Sequence, residues 1–326
     1  MEFYDIVQGT LYFIVTFTGV LGNALILVFL LLIAYQEGKQ ATSEVILSHL
    51  AAVNLIIYLT RTLPSVLFKF GLRNIFDDVS CKVATLIFRV SRGMTIGLTC
   101  LLSCFQFAII SGSNKRITEK QKIHRCVAPV ITVLYVTNAV TNIDAPIFTT
   151  APYNLTDLRY VFNPGFCIVV YPGKLVFDAK GYVTVAMDVF LVIVMSLASC
   201  RMLVVLYRHR KKMQDIRGPE QGQAGAESQA AKTVVMLVSC YAVFFGIDNA
   251  LRVYQTAANK THIMVSDIHI FFTMCYGSMF PVILLIFNKK IQNQALHVFS
   301  RKTLKQLRPI SYCQRNKAAE QGRIAG

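Results

Sequence analysis

Charge is scarce in this chain. Charged residues make up 15% of its 326 residues, where a soluble globular chain carries about 25%. The shortfall argues against a water-solvated fold and for a lipid solvent. Acid is the scarcer sign, with 17 Asp and Glu against 33 Lys and Arg, a net charge of +16. An excess of that size can mark a nucleic acid binder. Here the basic residues sit in short loops between apolar runs and in the tail, a pattern that sets membrane orientation and excludes the nucleic acid reading. A positive amino-terminal segment is also lacking. The first eight residues hold Glu2 and Asp5 and no basic side chain, and no small-residue cleavage site follows. The first apolar run is therefore expected to be a retained helix rather than a signal peptide. His-Glu-x-x-His, Gly-x-Ser-x-Gly and comparable clusters are missing, so nothing implies an enzyme, a metal or a cofactor. No internal repeat is present, which counts against the alternative of a multi-pass transporter of small organic solutes.

Long apolar runs are what the chain has in abundance, and 54% of it is hydrophobic. They cover approximately 9–35, 45–68, 81–111, 126–148, 181–207, 231–254 and 265–287. Each is near the 20 or so residues that carry a helix across about 30 Å of hydrocarbon. Lipid supplies no hydrogen bonds to the backbone, so each run is expected to be helical. The fold class expected is all-α: a seven-transmembrane bundle over 9–287, preceded by a short extracellular amino terminus (1–8) and followed by a cytoplasmic segment (288–326). Counting Lys232 and Lys82, at the ends of runs six and three, with the loops they adjoin, the loops after runs one, three and five and the tail hold 21 of the 33 basic residues, against seven on the other side. The basic side is cytoplasmic by the positive-inside rule, which puts the amino terminus outside the plasma membrane. The sequons at Asn154 and Asn259 both fall in loops on the outer side, where glycosylation is possible. Of nine cysteines, only Cys81 and Cys167 lie at that outer surface. An oxidising exterior favours a bridge between them over two free thiols.

On the inner side, the polar, Gly-rich stretch 217–227 reads as a linker between helices five and six. Helix five runs into Arg208, Arg210, Lys211 and Lys212, topogenic charge that can also dock an intracellular partner. After the seventh helix, Ile291, Ala295, Leu296, Val298 and Phe299 recur three to five apart beside polar Gln292 and Asn293. That spacing predicts a short amphipathic helix on the inner leaflet, drawn to anionic membrane lipid by its basic neighbours. Cys313 is either a palmitoylation site or a free tail cysteine.

Charges inside the runs cost about 2.5–3.5 kcal/mol each and usually have a role or a partner. They include Arg61 in helix two, Arg89 and Arg92 in helix three, Asp144 in helix four, Asp188 in helix five, and Asp248 and Arg252 in helix six. Arg89 and Arg92 are three apart and share a helix face. Asp248 and Arg252 are four apart with the acid first, the order that favours a pair within one helix. Two readings stay open. One is a buried salt-bridge network joining the helices. The other is a cationic pocket in which Arg89 or Arg92 takes the acidic group of a small organic anion. Phe88, Tyr182, Phe245 and Tyr276 are candidates to line such a pocket, or they simply pack helices.

Several segments carry a resemblance to a known family. Gly22-Asn23 in helix one and Leu50-Ala51 with Asn54 in helix two look like rhodopsin-like G-protein-coupled receptors. Ser48 to Asn54 with Pro64, Cys81 through Arg89 and Arg92 to Ser103, Asp188 to Phe190 with Leu206 to Lys211, and the sequon at Asn154 together resemble the vomeronasal type-1 receptors, including their fish olfactory class-A-related branch. The usual switches of the wider class are missing. Phe105-Gln106-Phe107 stands at the Asp-Arg-Tyr position, Phe280-Pro281-Val282-Ile283-Leu284 replaces Asn-Pro-x-x-Tyr, and the chain has no Trp. No lysine occupies 265–287 to hold retinal. The resemblance implies a pheromone or odorant receptor for a small molecule that activates an inhibitory-type or Go-type heterotrimeric G protein, with Gln106 on the face toward it.

Overall fold

The computed structural model describes residues 3–38, 40–72, 75–111, 117–151, 161–162, 166–216, 223–258 and 263–298. Seven helices are long and apolar enough to cross a membrane. The first span is one helix, Phe3–Glu37. Its 35 residues reach about 50 Å, so it overshoots the hydrocarbon at both ends. Its Phe13, Phe17, Leu21, Val28 and Leu31 are exposed, while Tyr12, Ile26, Leu30 and Ile33 are buried against neighbours. With lipid as solvent, that division separates a membrane face from a packing face.

The second span combines Thr42–Ile57, a π-helical turn at Tyr58–Thr62, and Leu63–Lys69. Pro64 accounts for the irregular turn. It has no N–H, and its ring clashes with the carbonyl four residues back, so the preceding turn must widen. Spans three, five, six and seven are Asp78–Ser111, Lys174–Ile216, Gln223–Ala258 and Ile263–Phe287. Span four is broken into Ile117–Thr141 and Asp144–Phe148. Pro146 has the same effect there, opening the chain at Asn142-Ile143, where Asn142 Nδ2 donates to the Asn138 carbonyl at 2.9 Å.

Two expectations are corrected here. The stretch 217–227 does not stay a linker to its end, because helix six begins at Gln223. Lys174 and Lys180 do not lie in a loop, because helix five begins at Lys174. Helix five also continues past residue 207 to Ile216 and carries Arg208, Arg210, Lys211 and Lys212. Residues 289–298 are helical, as the amphipathic spacing predicts. Ile291 is fully buried, with Ala295 and Val298 packed against the bundle core and Leu296 exposed. Asn154, Asn259, Phe299 and Cys313 lie outside the described residues.

One end of the bundle is closed by a disulfide between Cys81, at the start of span three, and Cys167 (S–S 2.05 Å, Cα–Cα 5.7 Å). Beyond Cys167 a small antiparallel sheet forms, with Ile168–Val170 (β3) lying between Thr149–Thr150 (β1) and Val161–Phe162 (β2). This sheet is the one departure from an all-α fold among the described residues. Cys81, Ala151, Phe166 and Cys167 are buried together beneath it.

Spans one, two and seven are held by a polar seam. Asn23 donates to the carbonyls of Gly19 and Gly277 at 2.7 and 2.8 Å and accepts from Asn54 at 3.2 Å. The π-helical turn places Tyr58 against span seven, where its hydroxyl donates to the Met274 carbonyl and meets Ser278 Oγ, each at 2.7 Å. Gly22 is required here by packing. A Cβ at that position would sit 2.6 Å from Pro281 Cγ. At the opposite end of the bundle, Lys290 of the 289–298 helix pairs with Glu37 of span one and Glu44 of span two. Glu44 also caps its own helix by accepting from the Ala41 N–H. Burial lowers the Lys290 pKa, but the two carboxylates more than offset this and hold it above its ordinary value.

Candidate functional site: a charged cluster at the disulfide end

The charges that interrupt the apolar runs converge in the half of the bundle nearer the disulfide, at two depths. Counting from the disulfide end of each helix at 1.5 Å per residue, Arg92 and Asp188 lie about 20 Å in. Arg61, Arg252 and Asp144 lie nearer the mouth.

The deep group is a network across helices, although Arg92 Nε is buried without a hydrogen-bond partner. Arg92 Nη2 donates to Asp188 Oδ2 at 2.8 Å and to Asp248 Oδ2 at 2.7 Å. One guanidinium thereby links spans three, five and six. All three side chains are buried, at 7%, 8% and 2% exposure. Burial that complete makes the pairs obligatory, since removing one partner of a buried pair costs about 3–5 kcal/mol. The Phe245 ring covers Arg92, its centroid 5.1 Å from the guanidinium carbon. The other oxygen of Asp248 accepts from Thr273 Oγ1 at 2.8 Å and meets His269 Nε2 at 2.9 Å, which brings in span seven. A small cavity adjoins Arg92, lined also by Asn54, Tyr58, Thr95, Thr273 and Tyr276. Tyr276 is buried and its hydroxyl lies 3.2 Å from Thr99 Oγ1.

The second group lies at the rim. Arg89 donates to Asp144 Oδ2 at 2.8 Å and to the Tyr171 hydroxyl at 3.0 Å. Lys180 donates to the other oxygen of Asp144 at 2.6 Å and to the Thr141 carbonyl at 2.7 Å. Spans three, four and five are joined there, and the loop between spans four and five is joined through Tyr171. Separately, Lys69 of span two pairs with Asp267 of span seven at 2.8 Å.

Two arginines differ from the rest. Arg61 has no carboxylate within salt-bridge distance among the described residues; its guanidinium lies 5.1 Å from the Phe88 centroid and 5.8 Å from that of Phe166. Arg252 forms the pair within helix six that its spacing predicts, but loosely. It stands 3.8 Å from Asp248, beyond hydrogen-bonding distance, because Arg92, Thr273 and His269 already occupy that carboxylate.

The sequence-predicted residues are thus largely brought together. Arg89, Arg92, Asp144, Asp188 and Asp248 form ion pairs across helices, Arg61 meets Phe88, and Tyr276 lies beneath Arg92. Tyr182 is corrected: it is 48% exposed, on the lipid-facing side of span five. Phe245 packs on Arg92 and against Tyr241 and Tyr276. Sequence reasoning missed His269, Thr273, Lys180 and Tyr171. The signal for His269 was present, since an ionisable residue within an apolar run is as conspicuous as an aspartate. At the opposite end, Gln106 is half-buried beside Phe105, which meets His124 edge-on, and Arg208 is exposed.

Comparison with known proteins places this geometry. The olfactory receptor class A-like protein 1 of Danio rerio is 33% identical over 294 residues, covering 90% of this chain and 92% of that one. Vomeronasal type-1 receptor 3 of Homo sapiens is 29% identical over 228 residues, covering 68% and 73% respectively. Vomeronasal type-1 receptor 1 of Homo sapiens is 26% identical over 308 residues, covering 93% and 86%. The model of the vomeronasal organ pheromone receptor family matches residues 6–296. A seven-span helical bundle, a loop bridged to span three and a match over almost the whole chain make this protein a member of that family of chemosensory G-protein-coupled receptors.

Proposed function

We propose that this receptor detects a small organic anion in the disulfide-end half of its bundle and signals through an inhibitory-type or Go-type G protein at the other end. The observation that carries the reading is the sign of the buried charge. Arg61, Arg89, Arg92, Arg252 and Lys180 face only Asp144, Asp188 and Asp248 within the cluster. A cationic excess walled by helices favours an anionic ligand, and arginine's planar fork suits a carboxylate. Phe88 and Tyr276 flank the same region.

The basic loops and tail support a cytoplasmic assignment for the opposite end and an extracellular amino terminus. Arg208, Arg210, Lys211 and Lys212 on the extension of helix five, together with Gln106, are the surface assigned to the G protein. A transporter reading is not favoured by the family match. Ligand-driven reporter activation without accumulation of the compound separates the two. The test is expression with a promiscuous G protein and a panel of small acids, amines and neutral odorants. Responses to acids are expected, and responses confined to amines or neutral compounds would overturn the anion reading.

A further inference from the structure

We propose that residues 166–171 form a strap across the mouth of the bundle, hinged at the Cys81–Cys167 disulfide and latched by Arg89 through the Tyr171 hydroxyl. Connecting segments usually run over a protein surface. Here Phe166, Cys167, Ile168, Val169 and Tyr171 are each 5% exposed or less, as buried as the packed faces of the spans. The strap touches four spans. The Arg61 guanidinium of span two lies over the Phe166 ring, and Cys167 is bonded to the start of span three. Tyr171 meets Arg89 of span three, Phe148 of span four and Phe177 of span five.

Its two ends are held by bonds of different kinds. At the hinge the link is covalent and well packed. Cys81, Ala151, Phe166 and Cys167 are buried together, and the Phe76 ring meets Phe166 edge-on at 5.9 Å. The Ala151 N–H donates to Asp78 Oδ1 at 3.2 Å, which keeps β1 at the same end. Past the hinge, β3 pairs with β1 through Ile168 and Val169, and with β2 through Val169 and Val170. These ladders are short, and β2 belongs to the same loop rather than to a span. At the far end the Tyr171 hydroxyl accepts from Arg89 Nη2 at 3.0 Å. Its ring centroid lies 5.5 Å from that of Phe148 and 5.8 Å from that of Phe177.

Arg89 suits a latch because its other contact holds it in place. Its Nη1 donates to Asp144 Oδ2, and the second oxygen of Asp144 accepts from Lys180. Letting go of Tyr171 leaves the guanidinium paired with a carboxylate. Letting go of Asp144 would leave a largely buried charge uncompensated. Of the two bonds, the one to the neutral phenol therefore opens first. The strap then swings about Cys167 without breaking an ion pair between spans, and Arg89 is uncovered at the rim.

The experiment is amide hydrogen exchange on the purified full chain in detergent, which reads local opening directly and needs no ligand. It therefore stands apart from the anion reading. Tyr171→Phe keeps the ring and removes only the hydroxyl. Exchange at 168–171 is expected to speed up at least about tenfold, the loss of a hydrogen bond to a charged group, with the amides of spans three and five unchanged. Arg89→Gln is expected to speed the same amides and also to lower the thermal midpoint, because it breaks the pair with Asp144. The double variant should exchange no faster at 168–171 than Arg89→Gln alone, since both changes remove one bond. Unchanged exchange in Tyr171→Phe would overturn the latch. Acceleration spread equally through spans three and five would make the hydroxyl a fastening of the whole bundle and overturn the strap. Additive effects in the double variant would overturn Arg89 as the partner through which Tyr171 holds.

Discussion

The two ends of this bundle are held together by different physics. At the disulfide end, arginine and aspartate side chains reach across spans, buried and geometrically close, with Arg92 alone tying three helices. Toward the other end the spans meet mainly through apolar packing among residues such as Leu102, Phe105, Leu237, Phe280, Leu284 and Ile291. The ionic contact there, Lys290 with Glu37 and Glu44, is partly exposed, the lysine at 41%. Ion pairs are directional and can exchange partners when a charged ligand arrives. Apolar contacts have no sign to exchange and respond to displacement alone. The disulfide end is therefore built to be rearranged by charge, and the other end to be moved by its neighbours.

The sharpest test of that contrast is Asp248→Asn. It takes charge from Arg92, His269 and Arg252 together and should cost about 3–5 kcal/mol, read as a lower thermal midpoint and reduced surface expression. Next comes Cys81→Ser, which frees a loop spanning 86 residues of sequence; a loss of about 2–5 kcal/mol is expected, with non-reducing electrophoresis confirming that the bridge is gone. Tyr58→Phe removes the hydroxyl that joins spans two and seven but leaves Ser278 its bonds to the Val15 and Met274 carbonyls, for about 0.5–1.5 kcal/mol, visible in the same melting assay.

Lys290→Ala should have a small effect, about 1 kcal/mol, because Lys290 and Glu37 are exposed and screened, while Glu44, though buried, keeps the bond from the Ala41 N–H. A melting shift for Lys290→Ala as large as that for Asp248→Asn would break the contrast. The lysine also has a defined pH signature. Its pKa is raised in the fold, so its contribution is full below the ordinary lysine value and fades as pH rises through the raised one. Melting across the neutral range should show no change attributable to it.

Much of the fold was legible because lipid imposes strict rules. Apolar runs had to be helices, and their number and order follow from the sequence. Their ends were less legible. Helix five begins seven residues before residue 181, and helix six begins at Gln223 inside a Gly-rich stretch, because backbone hydrogen bonding continues past the apolar run. The charged residues were identifiable, but their partners were not. Arg89 and Arg92 share a helix face, yet long side chains carry one to span four and the other to spans five and six. Asp248 and Arg252 had the spacing of a local pair, which yields once Arg92 and His269 arrive from other helices. Pairing across spans depends on bundle geometry that no local spacing encodes.

The widened turn at Tyr58–Thr62 also has a consequence for reading related sequences. A π-helical turn amounts to one residue inserted into a regular helix, and one residue is about 100° of rotation. Deleting a single residue there would restore a straight α-helix and swing everything from Leu63 to Lys69 to a new azimuth, carrying Lys69 away from Asp267. Relatives that differ by one residue at this point should therefore present a different side chain to the bundle interior, even where every other position aligns.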